Sequence, residues 1–433
     1  MESAENFKNK YGLGIRKDSL KEESRAFEQE MRRGLAGEAS SLLMLPTYLS
    51  AEGEIPVNET VIVMDAGGTN FRVATVTLNE AYEPLIENFS KYPMPGTQGE
   101  LTQEEFFDQI AEYLLPVIDQ SDKIGFCFSF PTIIGEDRDG TLVKFNKEVR
   151  VKGAEGMKIC ASISRALKAK GVEKEKHFVL LNDMVAALMS GPCGESDKVY
   201  DSYIGFILGT GTNISYIEKC ENILKDENAG KQKGQMIVNI ESGGYGKVAQ
   251  GYFDQMLDRE SEKPGEQLYE KMISGAYLGR ILYLALKQAM EDGLFSEEFS
   301  GRFREVNDIP TYQMNEFLTF PYGNGILAGC TAGNEEDCQE LYAIVDAVIE
   351  RAAYLVAMGL GAVLKKIDKG KLPTRPVCII AEGTTFYKLK LFGSKLDYYV
   401  RSYINDELGY YCEFRERDNA TLVGTAAAAL MNL

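Results

Sequence analysis

Apolar residues recur in this chain at two spacings, and each spacing predicts a different kind of element. Alternation over residues 61–78 and 203–218 predicts two hairpins, since successive side chains of a strand point to opposite faces. Unbroken apolar runs predict single strands at 124–130, 178–181, 236–240 and 377–381. Apolar residues three and four apart predict helices at 18–45, 104–115, 158–169, 184–190, 251–259, 266–290 and 341–366, and one more at the chain end.

The two hairpins lie in separate halves of the chain and have similar glycine turns. One offset aligns Gly68-Thr69-Asn70 with Gly211-Thr212-Asn213, and strands and helices follow both hairpins. Such mixtures of strands and helices are typical of sheets covered by helices. The pattern therefore predicts two related α/β domains that face each other across a cleft.

Composition and charge narrow the class of protein. At 433 residues the chain is long enough for two domains, and 65 acidic against 47 basic residues give a net charge of −18. Such a charge repels nucleic acid and anionic lipid, so we expect neither nucleic acid nor a membrane as a partner. The eight cysteines form no CxxC pair, and the first residues lack a signal-peptide pattern, so a cytoplasmic protein with reduced thiols is expected.

The two glycine turns are candidate phosphate sites, because glycine lets backbone N–H groups close on an anion. Both turns, at 65–70 and 209–213, also contain threonine and asparagine, which can donate further hydrogen bonds. Asp65, at the end of a strand, is placed to hold Mg²⁺ through water. Either turn alone is more typical of a plain hairpin than of a phosphate site, but two such turns in separate halves favour a nucleotide. The sequence contains no P-loop motif.

Asp183 is the candidate for the reacting group, since it follows Asn182 at the end of an apolar strand. Between two phosphate turns its carboxylate could receive the proton of an attacking hydroxyl, which indicates phosphoryl transfer. Aspartate at such a position often only caps a helix, and that structural role is the alternative. A helix N-terminus is expected to lower the pKa of Asp183 and weaken it as a base, which a loose transition state tolerates.

Six short motifs resemble, in order and spacing, those of the eukaryotic-type hexokinases, within the actin/Hsp70-like ATPase superfamily. They are residues 64–73, 125–131, 181–183, 208–213, 239–246 and 264–275, and the resemblance runs from about residue 18 to the end. It implies two ribonuclease-H-like (actin-like ATPase) domains flanking a cleft, each a mixed sheet with helices on both faces. The small domain would hold 52–184 and the C-terminal helix 422–433, and the large domain 1–51 and 185–421.

The resemblance also implies a reaction and a role for individual residues. Asp183 would be the general base for the 6-hydroxyl of glucose or a related hexose, and Lys147 would steady the transferred phosphoryl group. The hexose would contact Ser129, Asn146, Lys147, Asn182, Asp183, Asn213, Glu241 and Glu270. MgATP would be held by Asp65, Gly67, Gly68, Thr69, Asn70, Arg72, Gly209, Thr210, Gly211, Gly383 and Thr384, with Mg²⁺ at Asp65 through water. Binding of the sugar would close the cleft over it.

Several alternatives stay open. A catalytically silent sugar sensor could use the same cleft, and a related kinase could take another hexose or another phosphoryl donor. Bacterial sugar kinases with zinc-binding cysteines are disfavoured by the absence of a CxxC cluster. The chain also departs from the family pattern: Glu382 stands where Asp is usual, residues 418–421 lack a glycine-rich turn, Asn146 replaces Thr and Phe145 replaces Trp.

Overall fold

The computed structural model describes residues 3–15, 19–145, 148–194 and 198–433. The strands are β1 Leu45–Pro46, β2 Thr60–Ala66, β3 Asn70–Leu78, β4 Pro84–Pro93, β5 Leu101–Thr102, β6 Lys123–Phe128, β7 Thr132–Ile134, β8 Gly140–Leu142, β9 Val151–Lys152, β10 His177–Leu181, β11 Ser202–Leu208, β12 Thr212–Lys219, β13 Gln235–Asn239, β14 Val377–Glu382 and β15 Cys412–Arg415. The helices are α1 Ala4–Tyr11, α2 Leu20–Ala36, α3 Gln103–Leu114, α4 Ile159–Ala169, α5 Asp183–Ser190, α6 Glu227–Lys231, α7 Tyr252–Glu260, α8 Leu268–Ile273, α9 Leu278–Glu291, α10 Glu297–Phe303, α11 Thr311–Thr319, α12 Ile326–Thr331, α13 Glu335–Ile367, α14 Thr384–Lys388, α15 Phe392–Tyr399 and α16 Ala420–Asn432. Short 3-10 turns lie at Leu115–Gln120, Cys220–Asn222 and Ser242–Gly244, and a π-helical turn at Val400–Asn405.

Two sheets of the same core topology organise the chain. The first has the order β10-β6-β2-β3-β4, in which β2, β3 and β4 form an antiparallel meander and β6 and β10 add parallel strands. The second has the order β1-β13-β12-β11-β14-β15, in which β11, β12 and β13 form the meander and β14 and β15 are parallel. The two predicted hairpins are confirmed as β2–β3 and β11–β12, at equivalent places in the two sheets.

Helices cover both faces of each sheet. In the first sheet, alternate residues of β2 pack towards α3 and α4 on one face, with Ile62 and Met64 in that core, and towards α16 on the other, with Val61 and Val63. In the second sheet, Ile379 of β14 packs into the large core that contains α2, α9 and α13, and its neighbour Ile380 packs towards α5. This period of two follows from the strand geometry.

The helix predicted at 341–366 is confirmed as α13, which is long and apolar. By length and composition it could cross a membrane, yet 94% of its most apolar window is buried inside the protein. It packs against α2, α9 and α15 in the core of the second sheet. A helix that is apolar on all sides is expected where other elements surround it.

Two of the predicted helices are longer than the helices that the structure shows. The one predicted over 18–45 ends at Ala36, because Gly37 takes a left-handed conformation with φ 76° and its N–H closes the last turn. The one predicted over 266–290 is two helices, α8 and α9, with an irregular segment at 274–277 between them. Gly275 lies in that break, and a Cβ atom there would lie 2.3 Å from Thr385 Oγ1. The break allows close backbone packing that a continuous helix with side chains would not.

The C-terminal helix α16 joins the two halves of the molecule. It packs on β2 and β6 of the first sheet and along α5, which itself packs on β11 of the second sheet. The contact with α5 is very close, since a Cβ atom on Gly424 would lie 1.7 Å from the carbonyl oxygen of Ala186. The assignment of 422–433 to the domain that contains 52–184 agrees with this packing, and the domain boundaries stay a prediction.

Candidate active site

Asp183 is the first residue of α5, at the seam between the two sheets. The N-cap is Asn182, whose Oδ1 accepts a hydrogen bond of 2.9 Å from the N–H of Val185. Capping is therefore done by the preceding residue, and the alternative in which Asp183 itself is the cap is wrong. Asp183 Oδ1 accepts a 2.9 Å hydrogen bond from the N–H of Met184.

The pKa of Asp183 is raised, whereas the sequence predicted that the helix N-terminus would lower it. Burial raises the pKa of this carboxyl above its ordinary value, and the backbone hydrogen bonds at the start of α5 only reduce that rise. Desolvation of the charged form thus exceeds the effect of the helix terminus. A carboxylate with a raised pKa is a better proton acceptor than one held at a low pKa.

Asp65 ends β2 next to the first glycine turn and is buried. It lies opposite Arg72 of β3 and Cys127 of β6 in the sheet register. Arg72 Nη2 lies 2.9 Å from Asp65 Oδ2 as an ion pair, but without hydrogen-bond geometry, so this buried oxygen has no hydrogen-bond partner. Burial raises the pKa of Asp65, and the charge of Arg72 opposes that rise.

Asp65 Oδ2, which has an ion pair but no hydrogen bond, fits the predicted Mg²⁺. No group of three or more acidic, cysteine or histidine side chains in the described ranges could hold a metal ion by itself. Mg²⁺ usually keeps several waters and binds one or two carboxylates together with substrate phosphates. Asp65 suits that arrangement, in which the nucleotide supplies most of the ligands.

The first glycine turn follows Asp65 and is closed by its own backbone. The N–H of Gly67 donates to the carbonyl oxygen of Asn70 at 3.1 Å, and the N–H of Met94 donates to the carbonyl oxygen of Thr69 at 3.0 Å. The turn thus places the predicted phosphate residues at one end of the sheet, beside the loop that begins at Ser129, whose N–H donates to the carbonyl oxygen of Ala66. The residues placed here are Gly67, Gly68, Thr69, Asn70 and Arg72.

The second glycine turn is held by two other segments that approach it closely. The carbonyl oxygen of Gly209 accepts hydrogen bonds from the N–H of Gly275 at 2.8 Å and from Thr385 Oγ1 at 2.9 Å. Gly383 has φ 111°, and a Cβ atom there would lie 2.3 Å from the carbonyl oxygen of Leu208. The structure therefore brings the predicted residues Gly209, Thr210, Gly211, Gly383 and Thr384 together around one turn.

Glu241 lies beyond the end of β13 in a polar network. Its Oε1 accepts hydrogen bonds from Asn239 Nδ2 at 2.6 Å and from Asn213 Nδ2 at 3.1 Å. Asn213 Oδ1 in turn accepts from the N–H of Ser242 at 3.1 Å. Glu241 itself has φ 58°, a strained conformation for a residue with a side chain, which is common at functional sites. The network fixes the direction of the carboxylate.

Glu270, on the short helix α8, is tied to the second turn. Its Oε2 accepts a 3.0 Å hydrogen bond from the N–H of Thr212, and a Cβ atom on Gly211 would lie 2.6 Å from the same oxygen. Burial raises the pKa of Glu270, and the negative charge of Glu241 adds to the rise. The two carboxylates are therefore neighbours, and either would be stabilised by a partner that donates hydrogen bonds.

Asp183 lies within electrostatic reach of carboxylates from both sheets. Burial is the main cause of the raised pKa values of Asp65, Glu241 and Glu382, and the charge of Asp183 adds to each. Glu382 ends β14, and burial together with Glu416 raises its pKa to about 7. The site thus has one side formed by the glycine turns and another formed by Glu241, Glu270 and their amide partners, and Asp183 is electrostatically coupled to residues on both.

Two predicted site residues, Asn146 and Lys147, lie outside the described residues. Their neighbour Phe145, which stands where the family has Trp, packs its ring against Phe106, Phe128 and Phe130. Ser129, also predicted to bind sugar, is exposed at the start of this loop. The aromatic contacts anchor the loop to the first sheet.

Sequence reasoning missed three residues that complete the site. Asn239 orients Glu241, and Gly275 and Thr385 hold the carbonyl of Gly209. Asn239 and Gly275 lie inside the motifs at 239–246 and 264–275. The sequence predicted no role for either residue, because each contacts another site residue and is not itself expected to bind substrate. Thr385 adjoins Thr384, and only the tertiary structure shows which of the two hydroxyls points to the turn.

The two sheets have one topology, and the half-buried carboxylate of Asp183 begins the helix α5 that packs between them. These features define a protein of the actin-like ATPase fold. A solved structure described only as hexokinase matches 97% of the chain with TM-score 0.77 and 20% identity. A hexokinase from Schistosoma mansoni, solved in complex with glucose, matches 96% of both chains with TM-score 0.71 and 25% identity. The predicted fold class is confirmed.

Sequence comparisons identify the family. Two family models, both described as hexokinase, match residues 6–193 and 203–431. Hexokinase-5 of rice is 30% identical over 438 residues, which cover 94% of this chain and 85% of that protein. Horse hexokinase-2 is 30% identical over 96% of this chain, which spans about half the length of that relative, 47%. The chain belongs to the hexokinase family.

Proposed function

We propose that this protein transfers the γ-phosphoryl group of MgATP to the 6-hydroxyl of glucose or a related hexose. One observation carries the proposal: Asp183, with a raised pKa, lies between two phosphate turns and a pair of hydrogen-bond-accepting carboxylates. The solved structure of the Schistosoma mansoni relative contains glucose, which supports a sugar as the acceptor. Such a site can bind a polyol on one side of Asp183 and a nucleotide on the other.

The proposed reaction uses Asp183 as general base. The hexose hydroxyl would donate its hydrogen bond to a carboxylate oxygen of Asp183, and the proton would move to that oxygen as the new O–P bond forms and the bond to the leaving ADP breaks. Because the transition state is loose, position matters more than base strength. Asn182 caps α5 and so fixes Asp183 at the turn.

The two sides of the site would divide recognition between them. Glu241 and Glu270 would accept hydrogen bonds from ring hydroxyls, together with Asn182, Asn213, Ser129 and Asn146, so a sugar lacking one hydroxyl would leave a buried carboxylate unpaired. The backbone of the glycine turns would bind phosphate oxygens, and Lys147 would steady the transferred group. Asp65 would hold Mg²⁺ through water, and the metal would offset the negative charge of the phosphates.

A catalytically silent sugar sensor is the second candidate, and turnover separates the two. A coupled assay should show ADP release that depends on both MgATP and a hexose, with glucose, mannose and fructose compared in turn. ATP hydrolysis without sugar should be far slower, because the groups from the two halves of the site are brought together only when a bound sugar closes the cleft. Glucose binding without any ADP release would support the sensor. Other phosphoryl donors tested in the same assay would show whether the departures from the family pattern at Glu382 and residues 418–421 change the donor preference.

We also propose a cytoplasmic location. The eight cysteines, all within the described ranges, form no disulfide bond, and all but Cys412 are buried. Cysteines kept as thiols are typical of proteins that work in a reducing compartment.

Sugar binding is expected to compact the protein. Residues that would contact the hexose come from both sheets, Ser129 from the first and Glu241 and Glu270 from the second, so a bound sugar draws the two halves together. Small-angle scattering should show a smaller radius of gyration with saturating glucose and no nucleotide. A sugar that is not phosphorylated serves as the control, and an unchanged radius with glucose would contradict domain closure.

The apparent affinity for MgATP is expected to fall as pH rises through about 7. Glu382 lies beside the second glycine turn, and its pKa is raised to about 7 by burial and Glu416. Above that pH it carries a negative charge that repels phosphate, so KM for MgATP should rise while KM for the hexose stays nearly constant. Glu382→Gln should remove this dependence. An identical pH profile in the variant would show that another group is responsible.

A further inference from the structure

Glu30 is a buried carboxylate in α2, with 2% of its surface exposed, and it plays no part in the proposed reaction. Its Oε2 accepts hydrogen bonds from the N–H of Ser41 at 3.0 Å and from the hydroxyl of Ser41 at 3.2 Å. Its Oε1 lies 2.7 Å from Lys247 Nζ and 3.3 Å from Arg33 Nη1. A buried carboxylate with this many partners holds several segments in one arrangement.

The segments that Glu30 holds include the loop that carries Glu241. Ser41 Oγ, which donates to Glu30, accepts a 2.9 Å hydrogen bond from the N–H of Gly246. Lys247 follows Gly246 and pairs with the other oxygen of Glu30. The loop at 241–247 is therefore fixed at its far end by one carboxylate, while Glu241 occupies its near end with φ 58°. A strained residue needs such support from outside its own turn.

Aromatic packing ties the same helix to the second sugar carboxylate. The ring of Phe27 lies 4.6 Å from that of Tyr245 and 5.9 Å from that of Tyr269. Tyr245 belongs to the loop of Glu241, and Tyr269 immediately precedes Glu270 on α8. All three rings are fully buried. Tyr245, in the loop of Glu241, and Tyr269, next to Glu270, thus both pack against Phe27 on one face of α2.

We infer that α2 sets the geometry of the hexose site from behind, and that Glu30 is a positioning residue acting through Ser41, Gly246 and Lys247 on Glu241. This inference rests on the proposed function, because it concerns affinity for the hexose. Among the contacts of the described residues, none joins Glu30 to either of the two glycine turns. Its loss should therefore change sugar binding and leave nucleotide binding and the chemical step largely intact.

The pKa of Glu30 agrees with this role. Burial alone would raise it, but hydrogen bonds and charge from Lys247, with the hydrogen bonds from Ser41, lower it overall. The groups that face the carboxylate are Ser40, Ser41, Lys247 and Arg33, with Glu23 and Tyr245 on the same side of the cluster. Glu30 is therefore ionised at neutral pH and keeps the loop fixed there.

The test compares Glu30→Gln with Glu28→Gln. Glu28 lies on the same helix, is also buried, and pairs with Arg32 at 2.7 Å and Lys365 at 3.3 Å, away from the loop at 241–247. Glu30→Gln should raise KM and the calorimetric dissociation constant for glucose about tenfold, with kcat and KM for MgATP within about twofold. Glu28→Gln should leave all these values near wild type. Glu30→Asp, which keeps the charge, should recover part of the affinity.

Ser41→Ala covers the case in which Glu30→Gln does not fold. It removes only the hydroxyl between Glu30 and Gly246, and should weaken glucose binding in the same direction. Glucose affinity equal to that of wild type in both Glu30→Gln and Ser41→Ala would overturn the inference, as would an equal loss in Glu28→Gln. Absence of hexose phosphorylation in the wild-type protein would instead overturn the proposed function, and this inference with it.

Discussion

Asp183→Asn is expected to lower kcat by about 10²-fold or more while glucose still binds. The amide cannot accept the proton of the hexose hydroxyl, yet it keeps the shape of the side chain and can accept the hydrogen bond from the N–H of Met184. Capping of α5 is unaffected because Asn182 provides it. Steady-state kinetics and calorimetric binding of glucose, measured on the same preparation, separate the two effects.

The same substitution is expected to make the protein more stable at neutral pH. Because burial raises the folded-state pKa of Asp183 above its unfolded value, ionisation costs stability as pH rises through that range. Removing the charge also relieves its repulsion with Asp65 and Glu241. The midpoint of urea unfolding at pH 7 should therefore rise. Lower stability together with parallel loss of glucose binding would show that Asp183 has a structural role instead.

Gly424→Ala is expected to destabilise the protein by about 3 kcal/mol or more. The new Cβ atom would lie 1.7 Å from the carbonyl oxygen of Ala186 and 2.9 Å from the N–H nitrogen of Ser190, both in the backbone of α5. Backbone atoms cannot rotate away as a side chain can, so α16 and α5 must separate, and overpacking of this severity exceeds the usual 1–3 kcal/mol range. Activity should fall too, since α5 carries Asp183. Denaturant unfolding and turnover measure the two effects.

Gly301→Ala is the matched control for that prediction. Gly301 also lies inside a helix, α10, but a Cβ atom there would meet nothing within 4 Å. The substitution should stabilise the protein by about 0.5–1 kcal/mol, because alanine has the higher helix propensity. Equal effects of the two substitutions would contradict the close packing of α16 on α5.

How far the site could be predicted depends on the kind of contact each residue makes. Asp65, the glycine turns and Asp183 were found because a strand end followed by glycine or by a helix start is visible in the local sequence. The direction of the Asp183 pKa was predicted wrongly, since burial depends on α16, α5 and β11 meeting, and these segments lie far apart in the chain. The functions of Asn239, Gly275 and Thr385 were missed because their partners are other site residues.

Periodicity and short motifs, whose residues are neighbours in the chain, were enough to predict the hairpins, most strands, the two-sheet plan and the family. The end of α2, the division of 266–290 into two helices and the residue that caps α5 became clear from the three-dimensional contacts alone. The same is true of the position of Glu30 behind Glu241. These features depend on contacts between segments that are far apart in the chain, and such contacts produce no periodic pattern of apolar residues in the sequence.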